Sequence, residues 1–264
     1  MDYQDIIYKC ENGIATMIIN RPDKRNALSP GMRDSMYRVV ENVSRDKTVR
    51  VLIITGTGRA FCSGADVKWL AESSSHPASQ ERPREEASKY VSLHVLMQKC
   101  EKPIIAAVNG YAVGAGLDLA MACDIRIASD RARFAELYIR RGILPAEGGT
   151  YLLPRLVGID RACQLIWTGD MIDAKEAERI GLVTTVVPHD DLEITTVELA
   201  EKLVKAAPLA IQRSKRAIYE GLNMDLESTM KYIQSLMREI QQSEDYKEGS
   251  RAFLEKREPV FRGE

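Results

Sequence analysis

The chain has 264 residues, 45% of them apolar and 28% charged, with a formal net charge of −1. That length can bury a sizeable core, and the near-zero charge gives no sign of a nucleic-acid or membrane-surface partner. No apolar run approaches the ~20 residues that cross a bilayer, and the acidic opening MDYQDIIYKCENG has no basic n-region, so no signal peptide is expected.

In chain order, Ile6–Tyr8 and Ile14–Ile19 flank Glu11-Asn12-Gly13 and predict a β-hairpin. The loop RPDKRNAL leads to a helix over 31–44, with Ser29 as N-cap and Pro30 in its first position. VRVLIITG (50–56) reads as a buried strand, and AFCSGADVKWL (60–70) as a turn at Gly64 entering a helix near Ala65 or Asp66. The polar stretch 71–86 reads as a surface loop. A helix over about 87–100, a strand KPIIAAV (102–108), the segment NGYAVGAGLDLAMACD (109–124) and a strand DIRIAS (124–129) follow. Strands alternating with helices predict an α/β architecture. From about 190 the pattern is helical, over 191–206, 208–221 and 225–243, and this tail needs another surface to pack on.

Several chemistries are absent. The five cysteines are odd in number, widely spaced and free of CxxC, which suits reduced thiols in a cytosolic protein. The three histidines stand at no metal spacing, so no metal site is expected. There is no GxxxxGK[ST] and no GxSxG, and the GxGxxG begun by Gly114 and Gly116 stops at Leu119.

Two segments remain. Gly114 and Gly116 bracket a strand-to-helix turn whose first N–H groups have no helical partner. Asp118 lies within the first turn, where it either complements the helix dipole or does chemistry. AFCSGAD repeats that logic around Gly64. Two such turns can aim two N–H groups, those of Ala65 and Ala115, at one oxygen, as an oxyanion hole does.

AFCSGADVKWL and NGYAVGAGLDLAMACDI together resemble the enoyl-CoA hydratase/isomerase (crotonase) superfamily. So do INRPDKRNAL (19–28), GGTYLLPRLVG (148–158), ERIGLVTTVVP (178–188) and EGSRAFLEKREPVF (248–261), in order along almost the whole chain. The resemblance implies a spiral of ββα units carrying the active site over 1–200, and a helical oligomerisation region over 201–264. It implies a cytoplasmic homotrimer or dimer of trimers. The substrate would be an acyl-CoA thioester, with coenzyme A part of the substrate and no further cofactor. Ala65 and Ala115 would hold the thioester oxygen, although the family usually has glycine where Ala115 stands. Coenzyme A would meet Lys24, Arg25, Ala27, Ser63, Ala65 and Asp66, with Phe253 and Lys256 from the tail. Lys24 and Lys256 read equally well as solvated lysines. Trp69, Leu70 and Val91 would line the acyl pocket.

The hydratases of this family use two glutamates. Asp118 stands where the first lies, one methylene shorter. Tyr138 stands where the second lies, four residues after Phe134. A phenol is a poor base at neutral pH but can donate a proton. Glu147, in ILPAEGGT, is the acid expected to take over; its alternative is a cap on the helix 149–157. Glu136 is ranked below it, on the expectation that it points to the opposite face of an extended 133–138. The expected activity is hydration of a 2-enoyl-CoA through a thioester enolate. Double-bond isomerisation is the second reading, and a non-catalytic CoA- or RNA-binding homologue the third.

Overall fold

The computed structural model describes residues 2–66 and 92–264, and elements are numbered among these residues. Strands β1 (Ile6–Glu11) and β2 (Ile14–Ile19) form the expected hairpin, with Glu11 opposite Ile14. Asn12 and Gly13 both take positive φ, as a tight two-residue hairpin turn requires. Helix α1 (Pro30–Arg45) starts as expected: the Ser29 hydroxyl accepts from the Met32 amide at 3.2 Å, and Pro30 gives up no needed N–H. Met32, Met36, Val39, Val40 and Val43 form its buried stripe.

Three successive pairs of strands then repeat one pattern. They are β3 (Val51–Gly56) with β4 (Ala60–Cys62), β5 (Ile104–Val108) with β6 (Tyr111–Val113), and β7 (Ile125–Ser129) with β8 (Arg133–Ala135). Strands β9 (Ile172–Asp173) and β10 (Thr185–Val187) complete the set. The longer member of each pair enters a six-stranded sheet, β1-β2-β3-β5-β7-β10, and the shorter a four-stranded sheet, β4-β6-β8-β9. Helices α2 (Leu93–Lys99) and α3 (Ala115–Met121) lie between these pairs, which makes the chain a spiral of ββα turns.

The six-stranded sheet is buried on both faces. Leu52, Ile54, Ile104 and Ala106 join the core that contains the α1 stripe. Val51, Ile53, Ile105, Ala107 and Ile127 point the other way, onto Leu192 and Ala200 of helix α7 (Leu192–Lys205). This double burial is why β3 and β5 read as continuous apolar runs. Helices α4 (Gly149–Val157), α5 (Ile159–Thr168) and α6 (Ala174–Arg179) precede α7. Helices α8 (Pro208–Gly221), α9 (Leu226–Gln241) and α10 (Glu244–Glu255) follow it. Residue 200 falls inside α7. Among the described residues no helix is long and apolar enough to cross a membrane.

Candidate active site

After β4 the chain turns at Gly64 (φ +88°). The Leu28 amide donates to the Gly64 carbonyl at 2.8 Å, and the Asp66 amide donates to the Leu28 carbonyl at 3.2 Å. This is a parallel bridge centred on Ala65, so Ala65 sits in extended pairing rather than at a helix start. In such a bridge the central residue turns its own N–H away from its partner strand. Ala115, the first residue of α3, has no carbonyl within its helix to donate to. Neither amide has a backbone acceptor among the described residues.

The two segments meet at Gly64. A Cβ there would lie 2.7 Å from the Val113 carbonyl oxygen and 3.4 Å from the Ala115 nitrogen. A Cβ on Gly116 would lie 2.1 Å from the Cys62 carbonyl oxygen. Only bare Cα atoms let β4 and the start of α3 approach this closely. The close approach of the Gly64 turn to the start of α3 is therefore built by glycines on both sides.

Asp118 is fully buried one turn into α3. The Tyr138 hydroxyl donates to its Oδ2 at 2.6 Å. Burial pushes the Asp118 carboxyl up to about 6, against the opposing pull of that hydrogen bond. Burial, and then the Asp118 charge, push the Tyr138 phenol far above its usual range, so it stays a neutral donor. Tyr138 reaches this position because β8 ends at Ala135 and the chain enters a 3₁₀ turn over Leu137–Arg141.

The structure overturns the expectation for Glu136. The residue has left the strand (φ −94°, ψ 77°) and is 1% exposed. Instead of facing away, it faces Asp118. A Cβ on Gly149 would sit 2.5 Å from Asp118 Oδ1 and 2.8 Å from Glu136 Oε1.

Glu147 is not a helix cap: α4 begins at Gly148 with no side-chain cap. Its Oε1 accepts from Arg33 of α1 at 2.6 Å, and its Oε2 lies 3.9 Å from Nδ1 of His94 of α2. Burial pushes His94 down to about 4, against the pull of Glu147, so the imidazole is neutral at pH 7. Glu147 and Arg33 both act electrostatically on Asp118, which places them in one cluster with it.

A cleft of about 470 Å³ opens beside Ala65. It is lined by Lys24, Arg25, Ala27, Ser63, Ala65 and Asp66, all six expected, together with Arg141 and Met171. The Ser63 amide donates to the Arg25 carbonyl at 3.1 Å, and Arg21 bridges Asp66 at 3.2 Å, which ties the two loops together. Phe253 and Lys256 are not brought to this cleft within one chain; Phe253 lines a separate apolar hollow between α8 and α10. Trp69, Leu70 and Val91 lie outside the described residues.

Comparison with known proteins agrees with this geometry. The family model for enoyl-CoA hydratase/isomerase matches residues 9–264. The chain belongs to the enoyl-CoA hydratase/isomerase family. It is 40% identical to crotonyl-CoA hydratase of Syntrophomonas wolfei over 262 residues, covering 99% of each chain. It is 39% identical to short-chain-enoyl-CoA hydratase of Clostridium acetobutylicum, with 97% of each covered. The crystal structure of enoyl-CoA hydratase subunit I from Geobacillus kaustophilus superposes with a TM-score of 0.91 at 36% identity, covering all of both chains.

For this member of the enoyl-CoA hydratase/isomerase family, three residues at the site escaped sequence reasoning, Arg33, His94 and Arg141, and Glu136 was weighed but ranked low. Arg33 adjoins the buried stripe of α1, one position after Met32, a weak signal for an inward-reaching cation. Glu136 had a signal, an acid two residues from Tyr138, the spacing that puts two side chains on one face of an extended segment.

Proposed function

We propose that this enoyl-CoA hydratase adds water across C2 and C3 of a 2-enoyl-CoA, with Ala65 and Ala115 as its oxyanion donors. The observation that carries the reading is the meeting of these two unpartnered amides at Gly64, beside the buried Asp118. The amides hold the thioester oxygen and stabilise the negative charge that grows there. Glu147, oriented by Arg33, takes a proton from water as the water oxygen bonds to C3. The C2–C3 π electrons move toward the thioester oxygen, giving the enolate. C2 then takes a proton from the Tyr138 hydroxyl, which is refilled by protonated Asp118. The proton on Glu147 returns to Asp118 through solvent, and the net change is addition of one water.

A double-bond isomerase needs only one proton carrier. The grouping of Asp118, Tyr138 and Glu147 supplies two, which favours hydration. Coenzyme A enters as part of the substrate and would lie along Lys24, Arg25 and Ser63, its phosphates near Lys24, Arg25 or Arg141. A stripe of exposed apolar residues on α9, Leu226, Met230, Ile233 and Met237, supports self-assembly as a trimer or dimer of trimers. Free thiols and a near-neutral surface are compatible with a cytoplasmic enzyme.

The test is turnover of crotonyl-CoA, followed as loss of the enoyl-thioester absorbance, with homologues of longer chain run alongside. Hydration by the wild type that is lost in Asp118→Asn supports the reading. No turnover across the series, or exchange of C2 and C4 hydrogens without water addition, overturns it.

A further inference from the structure

Asp118 is not alone in its pocket. Glu136 brings a second carboxyl to the same spot, and the two face each other across the bare Cα of Gly149. Taken as ionised groups, Asp118 Oδ1 and both oxygens of Glu136 have no hydrogen-bond donor. No salt bridge reaches either residue among the described residues. The remaining ionisable groups around them are accounted for. Tyr138 is neutral and occupies Oδ2, Arg33 is engaged by Glu147, and His94 is neutral. Two charged carboxylates buried together without a cation is a state a protein avoids, by leaving one proton between them. That proton supplies the missing donor and turns two orphaned oxygens into a hydrogen bond.

We propose that Glu136 and Asp118 share one proton, and that this pair, acting through Tyr138, is the acid that delivers a proton to C2. Glu136 is then a positioning residue: it touches no substrate, but it keeps the proton where Asp118 can use it. Asp118, poised near 6 beside Glu136, has by itself largely given up its proton at pH 8. A pair that shares one holds it longer, because Glu136, pushed up by burial and by the Asp118 charge, reaches about 10. Gly149 is part of the device, since a methyl group there would push the two carboxyls apart.

The inference rests on the reading of Asp118 as an active-site acid, and the experiment separates the two. Glu136→Gln keeps the size and a hydrogen-bond donor but cannot release a proton. The profile of kcat against pH is measured for wild type, Glu136→Gln, Glu136→Asp and Asp118→Asn. Wild-type kcat is expected to hold to about pH 8 or beyond, and in Glu136→Gln its alkaline fall moves toward pH 6, with about a tenfold loss at pH 8 and KM little changed. Glu136→Asp restores part of the alkaline range, which a purely structural role would not predict. Infrared spectroscopy at pH 7.5 provides a readout independent of turnover and of Asp118's catalytic role. The carbonyl stretch of a buried protonated carboxyl is expected in wild type and absent in Glu136→Gln. A Glu136→Gln profile that superposes on wild type, or a wild type without that band, overturns the shared proton. Full activity in Asp118→Asn with the band intact in wild type overturns the catalytic acid instead.

Discussion

The Tyr138 hydroxyl stands 2.6 Å from Asp118 Oδ2, and the same phenol ring packs beside Gly114, one residue before the Ala115 amide. One side chain thus spans from the oxyanion turn to the buried acid. Tyr138→Phe removes the hydroxyl and leaves the ring. Steady-state kinetics should show kcat down about 100-fold with KM nearly unchanged, because the missing group acts on the proton and not on the acyl-CoA. No pH between 6 and 9 should restore it.

Gly64 offers a test of the oxyanion geometry that touches no acid. In Gly64→Ala the new Cβ meets the Val113 carbonyl 2.7 Å away, at a φ that L-residues rarely adopt. The turn must shift, and the Ala65 amide shifts with it. The expected loss is about 10²–10³ in kcat, the scale for one misplaced oxyanion donor. Stability should fall by about 1–3 kcal/mol from backbone strain, read from urea midpoints. A variant that keeps wild-type kcat would mean that the Ala65 amide does not hold the thioester oxygen.

How much of this was legible beforehand follows from which physical signal each feature carries. The hairpin, α1 and the strands β3, β5 and β7 are written as Asn-Gly, Ser-Pro and unbroken apolar runs, all of which are local signals. The approach of the Gly64 turn to the Gly114 turn was legible because each carries its own glycine and because family motifs surround both. The expectation that Glu136 faces away from Tyr138 did not follow even from an extended 133–138, where residues two apart share a face. The chain leaves β8 at Ala135, and local sequence does not say where a three-residue strand stops when its partner, β9, is only two residues long. Arg33 and Glu147 are 114 residues apart, a pairing that only the spiral brings about.

The tail is fastened to the core by a buried ion pair. Lys215 of α8 donates to Asp124 Oδ2 at 2.8 Å and to the carbonyls of Met97 and Lys102. Tyr219 donates to the other oxygen of Asp124 at 2.7 Å, and the Ile104 amide also binds Oδ2. Lys215→Met keeps the stem but strips one partner from Asp124 and leaves two carbonyls unmet. Breaking such a buried pair costs about 3 kcal/mol, so Tm should drop by roughly 6–12 °C. This cluster lies outside the proposed proton path, so kcat at 25 °C should change less than twofold. A large kcat loss in folded Lys215→Met would tie the tail to catalysis.

Glu136 also leaves a mark on stability that requires no substrate. In the unfolded chain its carboxyl ionises near 4.5; in the folded chain it is pushed up to about 10 by burial and then by the Asp118 charge. Below about pH 4.5 both states carry the proton and Glu136 contributes no slope. From there to about pH 10 the unfolded chain releases a proton that the folded chain keeps, so stability falls as pH rises. Asp118, raised to about 6, adds to the fall only at the lower end of that window. Glu136→Gln removes the larger part, because an amide ionises in neither state. Its Tm relative to wild type should therefore climb steadily from pH 5 to pH 9, by roughly 2–4 °C for each kcal/mol relieved. A difference that stays flat across that range would mean that Glu136 gives up its proton as readily when folded as when unfolded, and that the two buried carboxyls hold nothing in common.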